Sequence, residues 1–202
     1  MKKNFALLFV MALSVALQAQ DTKKVFGSPT IIWYGVDLTK AKMIGMGDES
    51  PHKMQEEYFK PWNEVTVDMD LAKVFQKNAA YKDPNGINKM NLARETDNLK
   101  ATEDVDLTAE QIAEQVKLIP VGQKKDGLAV TFIVQSFNKT TNLATVHVAF
   151  FDVASRSVLW LKKMTGKASG GSPAKAWAGA IKDIFNQIEK KEFSAWKKEA
   201  NY

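Results

Sequence analysis

Residues 128–165 read LAVTFIVQSFNKTTNLATVHVAFFDVASRSVLWLKKMT, and the fold turns on them. Three apolar, β-branched and aromatic runs, 128–137, 143–152 and 157–165, are separated by Asn138-Lys139-Thr140-Thr141-Asn142 and by Ala154-Ser155-Arg156. Such runs read as strands, and connections this short force antiparallel neighbours. The stretch therefore predicts an antiparallel three-strand meander. In the middle run Val146, Val148 and Phe150 fall on one face, and Thr145, His147 and Phe151 on the other.

Working outward, the glycine-rich bridge 166–172 leads to Ser172-Pro173, a helix N-cap followed by a proline at the first helical position. Trp177, Ile181, Ile184 and Ile188 then form one helical stripe, which should lie on the meander. Upstream, Thr108 caps a helix running to about residue 117, with Ile112 and Val116 facing the core. Residues 85–106 carry few large apolar groups and predict a long loop with at most one short element. Asp83-Pro84-Asn85-Gly86 reads as a turn after a short strand at 79–81.

Residues 60–78 are ambiguous. Trp62, Val65, Met69 and Ala72 suit a helix face, whereas Val65, Val67, Met69 and Leu71 alternate as in a strand; length favours helix. Ser50-Pro51 marks a helix start. Residues 30–36, TIIWYGV, read as an interior strand covered on both sides and ended by Asp37. The order is strand, helix, strand, helix, three strands, helix. It predicts an α/β (α+β) sandwich, a mixed sheet of about five strands ending in the meander, with helices packed on it.

At the amino terminus, Met1-Lys2-Lys3-Asn4 precedes thirteen residues, 5–17, of which only Ser14 is polar, and then Gln18-Ala19-Gln20-Asp21. This is the order of a secretory signal peptide, with an apolar run too short to span a bilayer. The expected division is a signal peptide at 1–19, a polar segment at 20–29 and one α/β domain at 30–202. The expected location is periplasmic or secreted.

The 202 residues are 45% hydrophobic and 25% charged, with a net charge of +5. These figures exclude a disordered chain and a polytopic membrane protein. Without cysteine the chain has no disulfide, thiol nucleophile, thiolate metal site or lipidated amino-terminal cysteine. Charge is segregated. Residues 95–115 hold seven acids against Lys100 alone, and residues 156–202 hold ten basic groups against four acids. The basic end reads either as a solvated surface or as a dock for an acidic protein or anionic surface.

Catalytic and cofactor patterns fail. Gly45-Met46-Gly47 lacks the third glycine of a dinucleotide loop and is followed by Asp48 and Glu49, which repel a pyrophosphate. His52 and His147 have no ligand at metal spacing, and no nucleophile elbow or carboxylate pair is evident. No cofactor, metal or nucleic acid is expected. One candidate anion site remains, Lys167 with Gly170, Gly171 and Ser172 at a helix start. A small ligand would sit in a pocket formed by that bridge with Trp33 and Asp37.

Ile32-Trp33-Tyr34-Gly35-Val36-Asp37, the run Val148-Ala149-Phe150-Phe151-Asp152-Val153 and the stretch from Gly166 to Trp177 resemble a family of secreted proteins from Bacteroidetes. The element order is also similar to two small envelope modules, the amino-terminal domain of the Tol–Pal propeller protein and the periplasmic domain of the curli-export lipoprotein. The resemblance implies an exported α/β module and no established activity. The expected function is a non-enzymatic cell-envelope module acting through protein or surface contact, with small anionic ligand binding as the alternative.

Overall fold

The computed structural model describes residues 21–202. The expected signal peptide, 1–19, lies outside the described residues. The fold is α/β. Its elements are β1 (Thr30–Asp37), β2 (Lys42–Ile44), α1 (Pro51–Glu64), α2 (Leu71–Val74), β3 (Ala79–Lys82), α3 (Asn85–Ala93), β4 (Lys100–Ala101) and α4 (Ala109–Leu118). They continue with β5 (Leu128–Asn138), β6 (Leu143–Asp152), β7 (Val158–Lys167), α5 (Pro173–Gln187), a π-helical turn (Ile188–Glu192) and α6 (Phe193–Glu199).

The seven strands form one sheet built around β5. Along one edge of β5 run first β1, from Ile32↔Ala129 to Asp37↔Ile133, and then β2, from Lys42↔Ser136 to Ile44↔Asn138. β3 and β4 line the outer edges of β1 and β2. These four pairings are parallel, so the sheet is mostly parallel; β6 pairs antiparallel with both β5 and β7. This corrects the expectation of about five strands. Seven segments share five positions, because β1 and β2 follow one another along one edge and β3 and β4 do the same outside them.

Both faces of the sheet are covered. On the larger, Trp33, Val130, Phe132, Val148 and Phe150 pack against Met54, Phe59 and Trp62 of α1 and Trp177, Ile181 and Phe185 of α5. On the smaller, Ile32, Tyr34, Ile133 and Phe151 meet Ile87 of α3 and Ile112 and Val116 of α4. The expected inward stripe of α5 is observed, with Trp177 buried and its ring 5.2 Å from that of Phe137. The expected two-sided burial of β1 is observed as well.

Three segments differ from expectation. Residues 60–78 are not one element: α1 ends at Glu64, a turn follows, and Asp70 caps the short α2 by accepting from the Lys73 N–H. The predicted loop at 85–106 contains α3, whose only fully buried residues are Ile87 and Asn91. Asn91 takes the anchoring role that an apolar residue would usually fill. Its side chain donates to Val36 O at 2.8 Å and accepts from Leu38 N at 2.7 Å, so the helix leaves no apolar periodicity to read. Finally, the segment 20–29 is not merely polar. Residues 21–27 are helical, and Val25 and Phe26 are buried in the main core, Phe26 against Trp160 and Phe193.

Candidate functional site

The end of β1 is set by a bulge. Its register with β5 shifts between Trp33 and Val36, and Gly35 has φ +113°, a conformation that L side chains rarely adopt. The shift places Trp33 and Val36 in the larger core and sends Asp37 to the smaller face. There Asp37 is fully buried. Its Oδ1 accepts from Thr39 N at 2.8 Å and Thr39 Oγ1 at 2.6 Å, and its Oδ2 accepts from Gln115 Nε2 of α4 at 2.7 Å. Burial raises its pKa above the ordinary carboxylate value, against the pull of those hydrogen bonds. Trp33 is equally buried on the other side, with its Nε1 donating to Thr66 Oγ1 at 3.1 Å and its ring against Phe132 and Phe185. The structure therefore does not bring Trp33 and Asp37 to one pocket.

The bridge forms neither wall of such a pocket. Lys167 closes β7, its backbone N–H donating to Asp183 Oδ2 at 2.9 Å. Ser172 caps α5 by accepting from Lys175 N, as expected. Ser169 N donates to Ala176 O at 3.1 Å, so the bridge folds back along the first turns of α5. The glycines permit that approach. A Cβ on Gly166 would lie 2.0 Å from Ala180 O, one on Gly170 2.8 Å from the Lys175 carbonyl carbon, and one on Gly179 2.2 Å from Ser169 O. Gly171 alone faces open space. Gly166 and Gly170 thus serve close packing of strand and bridge on helix, and a Cα with no side chain is what that contact needs.

A polar cluster on the smaller face escaped the sequence reading. Gln135, at a bulge in β5, donates to Asp104 Oδ1 at 2.8 Å and Asp106 Oδ1 at 3.1 Å. Its Oε1 is therefore an acceptor, so the His147 Nε2 that lies 2.9 Å away carries the proton. Ser136 Oγ donates to Asp104 Oδ2 at 2.6 Å, and Lys163 pairs with Asp106. Burial, then Lys163, lower the His147 pKa. These contacts hold the acidic segment 102–108 on the sheet. No short motif announces them, because their members lie on β5, β6, β7 and a loop. Among the described residues no group of three or more His, Cys, Asp or Glu could hold a metal ion.

The basic end is a surface rather than a pocket. Lys175, Lys182, Lys190 and Lys198 are exposed and take no carboxylate partner among the described residues. They recur every seven or eight residues, about two helical turns, and the π-helical turn absorbs the extra residue. Between the acidic residues 95–115 and the basic residues 156–202, Lys163–Asp106 is the ion pair observed among the described residues. No helix among the described residues is long and apolar enough to cross a membrane. No protein-family model matches the chain, and no curated protein matches it.

Proposed function

We propose that this chain is an exported cell-envelope module that acts without catalysis, by laying the lysine face of α5 and α6 on an acidic protein or anionic surface. The observation that carries the reading is the row Lys175, Lys182, Lys190 and Lys198, solvent-facing and unpaired over 23 residues, about 35 Å of helix. Such a row concentrates positive potential along one line and favours a partner of opposite sign. Exposed lysines matched by nearby acids would do neither. The amino-terminal signal pattern and the resemblance to secreted Bacteroidetes proteins support the envelope as the place of action.

The test is capture of cross-linked partners from native envelope with the wild-type chain and with Lys182→Glu/Lys190→Glu. The expected result is an envelope component held by the wild type, released as salt rises, and not held by the double variant although it melts at the wild-type temperature. A folded double variant that captures the same component equally well would remove the lysine face from the function.

A further inference from the structure

We infer a second site, for a neutral and mainly apolar small molecule bearing an N–H or O–H donor, in the cavity between α1 and α3. The cavity has a volume of ≈ 370 Å³ and lies beyond Lys82, the last residue of β3. α1, which follows β1 and β2, packs on the larger face of the sheet, and α3, which follows β3, packs on the smaller. β1 and β3 are adjacent and parallel. α1 and α3 thus approach the outer strand β3 from opposite faces, and the cavity opens between them beyond its carboxyl end; in open α/β sheets ligands bind outside the carboxyl ends of the strands. Gln55 ties the two helices together across this gap, its Nε2 donating to Asn91 O at 2.9 Å and Arg94 O at 3.0 Å.

The lining defines the ligand. Phe59, Val67, Pro84 and Leu92 give it apolar walls, and Val67 and Leu92 are large apolar side chains left 62% and 64% exposed at the site. Asn63 and Asn88 also line it, and the Oδ1 atoms of both are buried with no hydrogen-bond partner. The Nδ2 of Asn63 donates to Phe59 O at 3.0 Å, which leaves Oδ1 as its unpaired atom. An unpartnered buried carbonyl oxygen is costly, and a ligand donor that the Asn63 or Asn88 side chain turns to meet removes that cost. The charged groups around the cavity are already engaged. Lys82 Nζ donates to the carbonyls of Thr66, Val67 and Met69, Lys60 pairs with Glu64, and Glu56 with His52. Nothing there selects a charged ligand. This site is separate from the lysine face, so either can fail without the other.

The experiment is titration of the ¹⁵N-labelled protein with indole and phenol, alongside 1-methylindole and anisole, which keep the shape and lack the donor. Indole or phenol should shift amides of residues 59–67 and 88–92, with a dissociation constant of about 1 mM or tighter. The donor-less partner should bind about fivefold more weakly, the worth of one hydrogen bond. In Asn63→Ala that preference should shrink. Absence of shifts in those segments with both indole and phenol would overturn the site. Equal binding of each donor and its methylated partner would overturn the role of the two asparagines, and this comparison needs no variant.

Discussion

Lys77 is an ammonium group drawn into the core. It is 9% exposed, donates from Nζ to Val25 O at 2.7 Å and Phe26 O at 3.3 Å, and lies over the Phe193 ring. Burial lowers its pKa from 10.5 to about 8, with Lys197 adding to the effect. The unfolded chain therefore binds more protons than the folded one between those two values, and stability must rise with pH across that window. The rise should be about 1–3 kcal/mol, below the ~3.4 kcal/mol of the whole displacement because the two carbonyl acceptors and nearby solvent favour the ammonium. Urea denaturation at both ends of the window measures it, and Lys77→Met should flatten the slope. A wild type with no slope would mean that the ammonium is solvated. His147 acts in the opposite pH range by the same rule. Its lowered pKa means that the folded state resists the proton, so its contribution is lost as pH falls through the unfolded value of 6.5. Lys77 is not legible as a core group in the sequence. A lysine between Gln76 and Asn78 reads as solvent-exposed, and it becomes internal because the 21–27 helical turn and Phe193 close over it.

Among the elements, the joint between β7 and α5 separates a packing role from a ligand role. The sequence shows Gly166, Gly170, Gly171 and Ser172 as a loop capable of holding an anion, and it shows the cap and the helix correctly. It cannot show that Gly166 faces the backbone of Ala180. Gly166→Ala should destabilise the protein by about 1–3 kcal/mol, the usual cost of forcing atoms into a packed contact. Gly171→Ala, with nothing within 4 Å of the new Cβ, should leave stability unchanged or raise it by about 0.4–1 kcal/mol through the unfolded chain. Thermal melts of the two variants decide the matter. Equal and small effects at both positions would return the bridge to the status of a free loop. The elements the sequence shows best share a property: β5, β6 and α5 place their own apolar residues in the core. Those it hides, α3 and the 21–27 turn, are anchored by one asparagine or by two apolar residues in a polar context.

For the whole molecule, the sequence foretells an α/β chain covered on both faces of its sheet, while parallel pairing depends on contacts far apart in the chain and leaves no local mark. If the chain is exported, amino-terminal sequencing of protein from the envelope or medium should begin near Gln20 or Asp21, and processed material that still starts at Met1 would refute that reading. The two faces also differ in strength. The larger core joins α1, α2, α5, α6 and the 21–27 turn through stacked, tilted and edge-on aromatic pairs, among them the stacked Phe132–Phe185 at 4.4 Å and the tilted Trp62–Phe137 at 4.5 Å. The smaller core holds α4 by Ile112, Val116 and Ile119, and the segment before it by side-chain hydrogen bonds to Asp104 and Asp106. Local opening follows buried apolar contact, so the smaller face should open first. In native-state hydrogen exchange, amides of β5 and β6 should exchange only with global unfolding. Those of 109–118 should exchange through a smaller opening whose free energy falls further when His147 gains a proton. Protection of α4 equal to that of β5 at every pH would show instead that the two faces unfold as one unit.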